Sequence, residues 1–203
     1  MRLPDASFDL VTCQTVLIHL ADPRAGIREM LRVTKPGGMV LAAEPNNRAS
    51  VVVDSSASAG DSVEELLERL EFTIRCERGK ESLGEGNGSV GDLVPGYLAQ
   101  EGAVEIRTWI SDKTSMMVPP YEGAEQQTLR ADYLEDAGKG WAGWSREEAR
   151  RYYLAGGGGE VEFDAAWERR LQETVRDAEA VREGTFHSAG GYVMYVIAGR
   201  RAQ

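Results

Sequence analysis

Residues 8–44 read FDLVTCQTVLIHLADPRAGIREMLRVTKPGGMVLAAE, and this stretch decides the fold. Phe8-Asp9-Leu10-Val11-Thr12-Cys13 is short and mostly apolar, too compact for a helix and suited to a strand. Met39-Val40-Leu41-Ala42-Ala43 shows no polar alternation, the pattern of a strand covered on both faces in a parallel sheet. Between them, Asp22 is placed to cap a helix with Pro23 in its first turn, where a missing N–H costs nothing. Ile27, Met30 and Leu31 form an apolar stripe at helical spacing. Arg32 and Lys35 lie where cations complement a helix C-terminus, and Pro36-Gly37-Gly38 is the expected stop. The unit is strand, helix, strand, with parallel strands and a right-handed crossover expected.

Upstream, Pro4-Asp5-Ala6-Ser7 carries turn chemistry and delivers the chain into the first strand. Downstream, Pro45-Asn46-Asn47 ends the second strand, and a loop of small residues runs to Ser58. Ser62-Val63-Glu64-Glu65 has the form of a capping box, and Val63, Leu66, Leu67, Leu70 and Ile74 predict a helix over 62–78. Gly86 to Gly91 satisfies the letters G-x-G-x-x-G but follows a helix, so the expectation is a flexible loop instead of a dinucleotide turn. Pro95, Tyr97 and Leu98 suggest a short helix before Gly102, and Val104, Ile106, Thr108 and Ile110 alternate as a strand.

Residues 114–189 read as a helical insertion. A helix is expected over 122–137, and Ser145-Arg146-Glu147-Glu148 is a second capping box. Gly156 to Gly159 reads as a hinge or linker. Phe163, Trp167, Leu171, Val175 and Ala178 then mark an amphipathic helix ending near Gly184, and Tyr192 to Ala198 forms a last strand.

Composition narrows the function classes. Of the 203 residues 42% are apolar and 28% charged, a globular profile sufficient for a sizeable core. A net charge of −10 argues against nucleic acid or an anionic membrane as partner. Cys13 and Cys76 make no disulfide framework, which favours a reducing compartment. No apolar run approaches a membrane span and the N-terminus lacks a signal-peptide core, so a cytoplasmic, soluble protein is expected. No metal signature, G-x-S-x-G elbow or P-loop lysine is present.

LPDASFDLVTCQTVLIHLADP, REMLRVTKPGG and VLAAEPNN together resemble the second half of a class I S-adenosylmethionine-dependent methyltransferase of the type 11-like kind. The resemblance is dense over Leu3 to Asn47 and weaker toward the C-terminus. It implies an α/β fold: a partial Rossmann-like sheet over 1–113 and 190–203, with strands similar to the family's fourth to seventh, the last antiparallel. Residues 114–189 would be a helical lid. It also implies S-adenosyl-L-methionine as cofactor and a small-molecule acceptor. In that family a Gly-rich turn after strand one and an acid ending strand two grip the cofactor, and this chain begins after both. The family's fourth strand lies beside its first, so an edge of the sheet here needs cover from a homodimer partner or a complementing N-terminal half.

Ligands of open α/β sheets sit beyond the carboxyl ends of the strands. That rule and the resemblance together make Cys13, Gln14 and Thr15 candidate cofactor contacts; the alternative is that Cys13 is a small buried filler. His19 is a candidate general base, or else a residue that orders the turn before Asp22. Glu44 would position or deprotonate an acceptor, or cap the turn that follows it. Asn46, Trp141, Trp144 and His187 are candidate substrate contacts, the two tryptophans as walls of an apolar pocket. The competing reading is a catalytically incompetent fragment or interaction subunit that needs a second chain.

Overall fold

A computed structural model describes residues 3–111, 114–139 and 144–203. In chain order the elements are β1 (Phe8–Gln14), a 3-10 turn (Leu17–His19), α1 (Pro23–Val33), β2 (Thr34–Pro45), α2 (Asn47–Ser50) and α3 (Val63–Ser82). There follow α4 (Val94–Gln100), β3 (Ala103–Ile110), α5 (Ala124–Asp136), α6 (Arg146–Ala155), α7 (Glu160–Glu183) and β4 (Met194–Arg201). They divide into a sheet unit, Met1–Asn47 with Gly84–Asp112 and Val193–Gln203, and a helical unit, Arg48–Leu83 with Lys113–Tyr192. Sequence reading had kept residues 48–83 with the sheet. The structure groups them with the helices because α3 packs on α6 and α7.

The sheet order is β1-β2-β4-β3. β1 and β2 run parallel, with Leu10 opposite Met39 and Cys13 opposite Ala42, as the strand–helix–strand reading requires. β4 lies antiparallel to both β2 and β3. The Asp22 carboxylate accepts the Ala25 N–H and starts α1. The helix ends at Val33, and Pro36-Gly37-Gly38, expected to stop it, already lies inside β2, with Gly37 at a left-handed φ of 75°.

The two faces of this sheet differ. Side chains alternate along each strand, so Val11, Val40, Ala42 and Ile197 share the face on which Ile27 and Leu31 of α1 and Leu98 of α4 close a buried aliphatic core. On the opposite face the rows are Leu10, Met39, Arg200 and Val104, then Gln14, Ala43, Val196 and Trp109. There Leu10 is 53% and Trp109 50% exposed. On that face β2 itself presents Met39, Leu41 and Ala43 half-buried, short of the full cover expected for it. An unbroken apolar run reports a strand suited to two covered faces, and within the sheet unit α1 and α4 cover one.

The helical unit is built around stacked rings. Phe72 of α3, Tyr153 of α6 and Phe163 and Trp167 of α7 pack with centroids 5.6–6.4 Å apart. Both expected capping boxes are present, at Ser62 with Glu65 and at Ser145 with Glu148, and fix where α3 and α6 begin. Gly79 lets α3 approach α6 closely: a Cβ there would lie 1.7 Å from the Tyr152 carbonyl oxygen. Gly156 does the same against Arg75, where a Cβ would meet the carbonyl oxygen at 2.0 Å. The four-glycine run is thus a point of close backbone approach, not a hinge. Among the described residues no helix is long and apolar enough to cross a membrane.

Candidate functional site

The carboxyl ends of β1 and β2 meet at Glu44. Its side chain is fully buried in the sheet unit. One oxygen accepts the backbone N–H groups of Val16 and Leu17, each at 3.0 Å, and the other accepts that of Ile18 at 3.4 Å. These are the first N–H groups of the 3-10 turn, which have no partner within the turn itself. A buried carboxylate holding several amide donors has most of its capacity used, which leaves it poorly placed to take a proton from an acceptor. The structure therefore gives Glu44 an occupation that neither sequence reading anticipated: it caps the turn that precedes it in sequence by 28 residues.

Cys13 lies beside it, half-buried, and its thiol donates to Glu44 Oε1 at 3.6 Å. Burial, then the Glu44 charge and this hydrogen bond, push the thiol pKa up to about 12. Cys13 is thus a protonated donor that packs against the aliphatic core, and it is not a nucleophile at neutral pH.

Gln14 and Thr15 are exposed at the very end of β1. The Thr15 N–H extends the parallel pairing by donating to the Ala43 carbonyl at 2.9 Å. Its φ of 51° lies in the left-handed region, which is costly for a β-branched residue. The bond to Ala43 on one side and the Glu44-held amides on the other fix this strained turn. His19 ends the 3-10 turn with its side chain exposed and its N–H donating to Val16 O. Asn46 donates from Nδ2 to Asp92 at 3.3 Å and from its backbone to Val193 O.

Residues 84–92, expected to be a flexible loop, form a fixed wall of this site. A Cβ on Gly86, where φ is 90°, would lie 2.3 Å from the Ile18 carbonyl oxygen, and one on Gly91 2.3 Å from that of Glu44. The Gly91 N–H donates to Pro45 O at 3.0 Å, and Val90 is buried in the aliphatic core. The glycines are required here because backbone meets backbone.

Cys13, Gln14, Thr15, His19, Glu44 and Asn46 thus lie together at one end of the sheet unit. The remaining candidates lie elsewhere. Trp144 is in the helical unit, edge-on to Tyr152 at 5.4 Å and packed on the aromatic core instead of walling a loop pocket. His187 is exposed in the same unit, with its backbone paired to Ser56. Trp141 lies outside the described residues. Among the described residues no group of His, Cys, Asp and Glu is placed to hold a metal ion.

Residues 1–42 match the family model described as a methyltransferase domain. A demethylmenaquinone methyltransferase of Corynebacterium urealyticum is 58% identical over 46 residues, which are 22% of this chain and 20% of that protein. An uncharacterized methyltransferase of Schizosaccharomyces pombe is 54% identical over 44 residues, 22% of this chain and 16% of that protein. Each of these matches therefore spans less than a quarter of the relative's length. Among solved structures, the Haemonchus contortus phosphoethanolamine N-methyltransferase 2 in complex with S-adenosyl-L-methionine aligns with 99% of this chain and 35% of its own, at 14% identity and a TM-score of 0.37. The YcgJ protein of Bacillus subtilis aligns with 100% of this chain and 68% of its own, at 14% identity and a TM-score of 0.41. These structural similarities are distant, whereas the match over residues 1–42 falls on the strand–helix–strand segment that carries the Glu44-held turn.

Proposed function

We propose, with the methyltransferase-domain segment of residues 1–42 as premise, that this chain supplies part of an S-adenosyl-L-methionine-dependent methyltransferase acting on a small-molecule acceptor. The observation that carries the reading is the strained, exposed Gln14–Thr15 turn at the carboxyl end of a parallel strand, held from beneath by a buried carboxylate. Open α/β sheets bind ligands at that position. Bound there, S-adenosyl-L-methionine supplies an electrophilic methyl group on a sulfonium, and transfer depends mainly on alignment of acceptor and methyl.

The residues present fit one wall of such a site. Gln14 offers an exposed side-chain amide for hydrogen bonds to the cofactor, and the Thr15 hydroxyl, which donates to the Gln14 carbonyl at 2.8 Å, retains its oxygen as an acceptor. Glu44 acts as a positioning residue, setting the turn through the backbone and not through contact with a ligand. His19, exposed at the end of the turn, is the candidate general base of this cluster.

A second reading has its own observation: the bare sheet face with Leu10 and Trp109 exposed, beside an edge strand that pairs on one side. On this reading the chain completes its sheet, and its cofactor site, only with a further segment or second chain. Calorimetric titration separates the two. Binding of S-adenosyl-L-methionine by this chain alone supports a self-sufficient site. Binding only after addition of a Gly-rich strand–helix–strand segment supports the completed sheet. No binding in either case, with the complex formed, rejects methyl transfer.

A further inference from the structure

Between the Leu10 row and the Gln14 row of the open sheet face runs a third, Thr12, Leu41, Ala198 and Arg107. The apolar surface of this face spans all four strands. Leu10 on β1 and Val104 and Trp109 on β3 are 46–53% exposed, and Met39, Leu41 and Val196 between them are half-buried. Scattered apolar side chains on a surface are ordinary, but a continuous patch rimmed by polar groups marks an interaction site.

The sign of its charge is a second, independent observation. The chain carries a net charge of −10, yet no paired position on this face is an Asp or Glu, and its charged residues are Arg107 and Arg200. Arg200 lies 3.1 Å from Glu105, which sits in the irregular stretch of β3 between Val104 and Arg107. Arg107 is exposed and makes no ion pair among the described residues. We infer that this face is a docking surface for an amphipathic helix whose apolar stripe is flanked by Asp or Glu.

Dimensions and charge both favour that occupant. Neighbouring strands lie about 4.8 Å apart, so β1 and β3 are separated by about 14 Å across the face. One helix with its side chains is about 10–12 Å wide, which covers the half-buried floor and reaches Leu10 and Trp109 on either side. A carboxylate on its flank meets Arg107, and exclusion of water strengthens that pair. A second copy laid face to face fits worse, because it opposes arginines to arginines with no carboxylate at the paired positions to offset them. The inference rests on the second reading above in one respect, that other polypeptide completes the sheet unit, and not on methyl transfer.

The probes are two synthetic helical peptides of about 16 residues, matched in length to a strand of seven or eight residues. Both carry a leucine stripe; one has Glu along its flanks and the other Gln. Calorimetric titration of the whole chain should show saturable binding of the Glu peptide and about tenfold weaker binding of the Gln peptide. Arg107→Gln should erase that difference, a coupling that apolar adhesion alone does not produce. Leu10→Lys should weaken both peptides about tenfold, and Trp109→Lys serves the same purpose where Leu10→Lys alters the far-ultraviolet spectrum. No binding, equal affinity for the two peptides, a difference that survives Arg107→Gln, or unaltered affinity in both lysine variants would overturn the inference. So would sedimentation as a dimer that Leu10→Lys dissociates, because the face would then belong to a second copy. Recovery of cofactor binding with a Gly-rich strand–helix–strand segment, without affinity for either peptide, would reject this partner and leave the second reading standing.

Discussion

Phe72, Phe163 and Trp167 stack on one another in the helical unit and are buried, whereas Leu10 and Trp109 of the sheet unit stand half in solvent. The two units solve the same problem differently. The helices α3, α6 and α7 turn their apolar stripes toward one another and close their own core. A strand presents two faces, and helices on one face leave the other for something else to cover. The helical unit thus closes its own core, whereas the sheet unit leaves Leu10 and Trp109 exposed and holds a fixed turn at the carboxyl ends of β1 and β2.

Substitutions that probe each unit separately sharpen this contrast. Phe163→Ala removes a fully buried ring from the aromatic core and should cost about 4 kcal/mol. Urea unfolding followed by aromatic fluorescence will read the loss in the helical unit, while the amide spectrum of β1 and β2 stays unchanged. Glu44→Leu fills the same space but strands the amides of Val16 and Leu17, at an expected cost of about 3 kcal/mol in the sheet unit alone. Accelerated hydrogen exchange at those two amides identifies the cause. A Glu44→Leu protein with protected amides would show that the carboxylate does not hold the turn.

Gly79→Ala tests the close approach of α3 and α6. Alanine favours a helix by about 1 kcal/mol, yet its methyl would collide with the Tyr152 carbonyl, so a net loss of about 2 kcal/mol is expected. Leu10→Lys should have the smallest effect, within about 0.5 kcal/mol, because its side chain lies on the bare face. Raised solubility without a change in the unfolding midpoint is the expected result. A large destabilisation would mean that this face is covered after all.

Much of the fold was legible because its signals are local. Ser62 with Glu65 and Ser145 with Glu148 mark two helix starts within four residues each, and Asp22-Pro23 marks a third. The parallel pair followed from a crossover helix of ordinary length between two apolar runs. What could not be read depends on contacts between distant segments. Glu44 holds amides 26–28 residues away, and nothing in its neighbourhood distinguishes a cap for an earlier turn from a base. Gly86 and Gly91 suggested mobility until their neighbours, the Ile18 and Glu44 carbonyls, were in place. Trp144 sits outside any helical spacing pattern and so read as a loop aromatic, yet its ring packs on Tyr152.

Each unit carries one cysteine, which allows the contrast to be measured in a single molecule. Burial raises both thiols to about 12, with Glu44 adding to the effect at Cys13 and Glu77 at Cys76. The folded chain therefore keeps these protons while the unfolded chain releases them above pH 9, so stability falls as pH rises from 9 toward 12. At pH 8 neither cysteine should react with iodoacetamide until its own unit opens. Labelling across a urea gradient, with each cysteine followed by peptide mass, reads the two openings directly. An open-faced sheet beside a closed helical core predicts that Cys13 is modified at lower urea than Cys76; simultaneous modification, or Cys76 first, would contradict it.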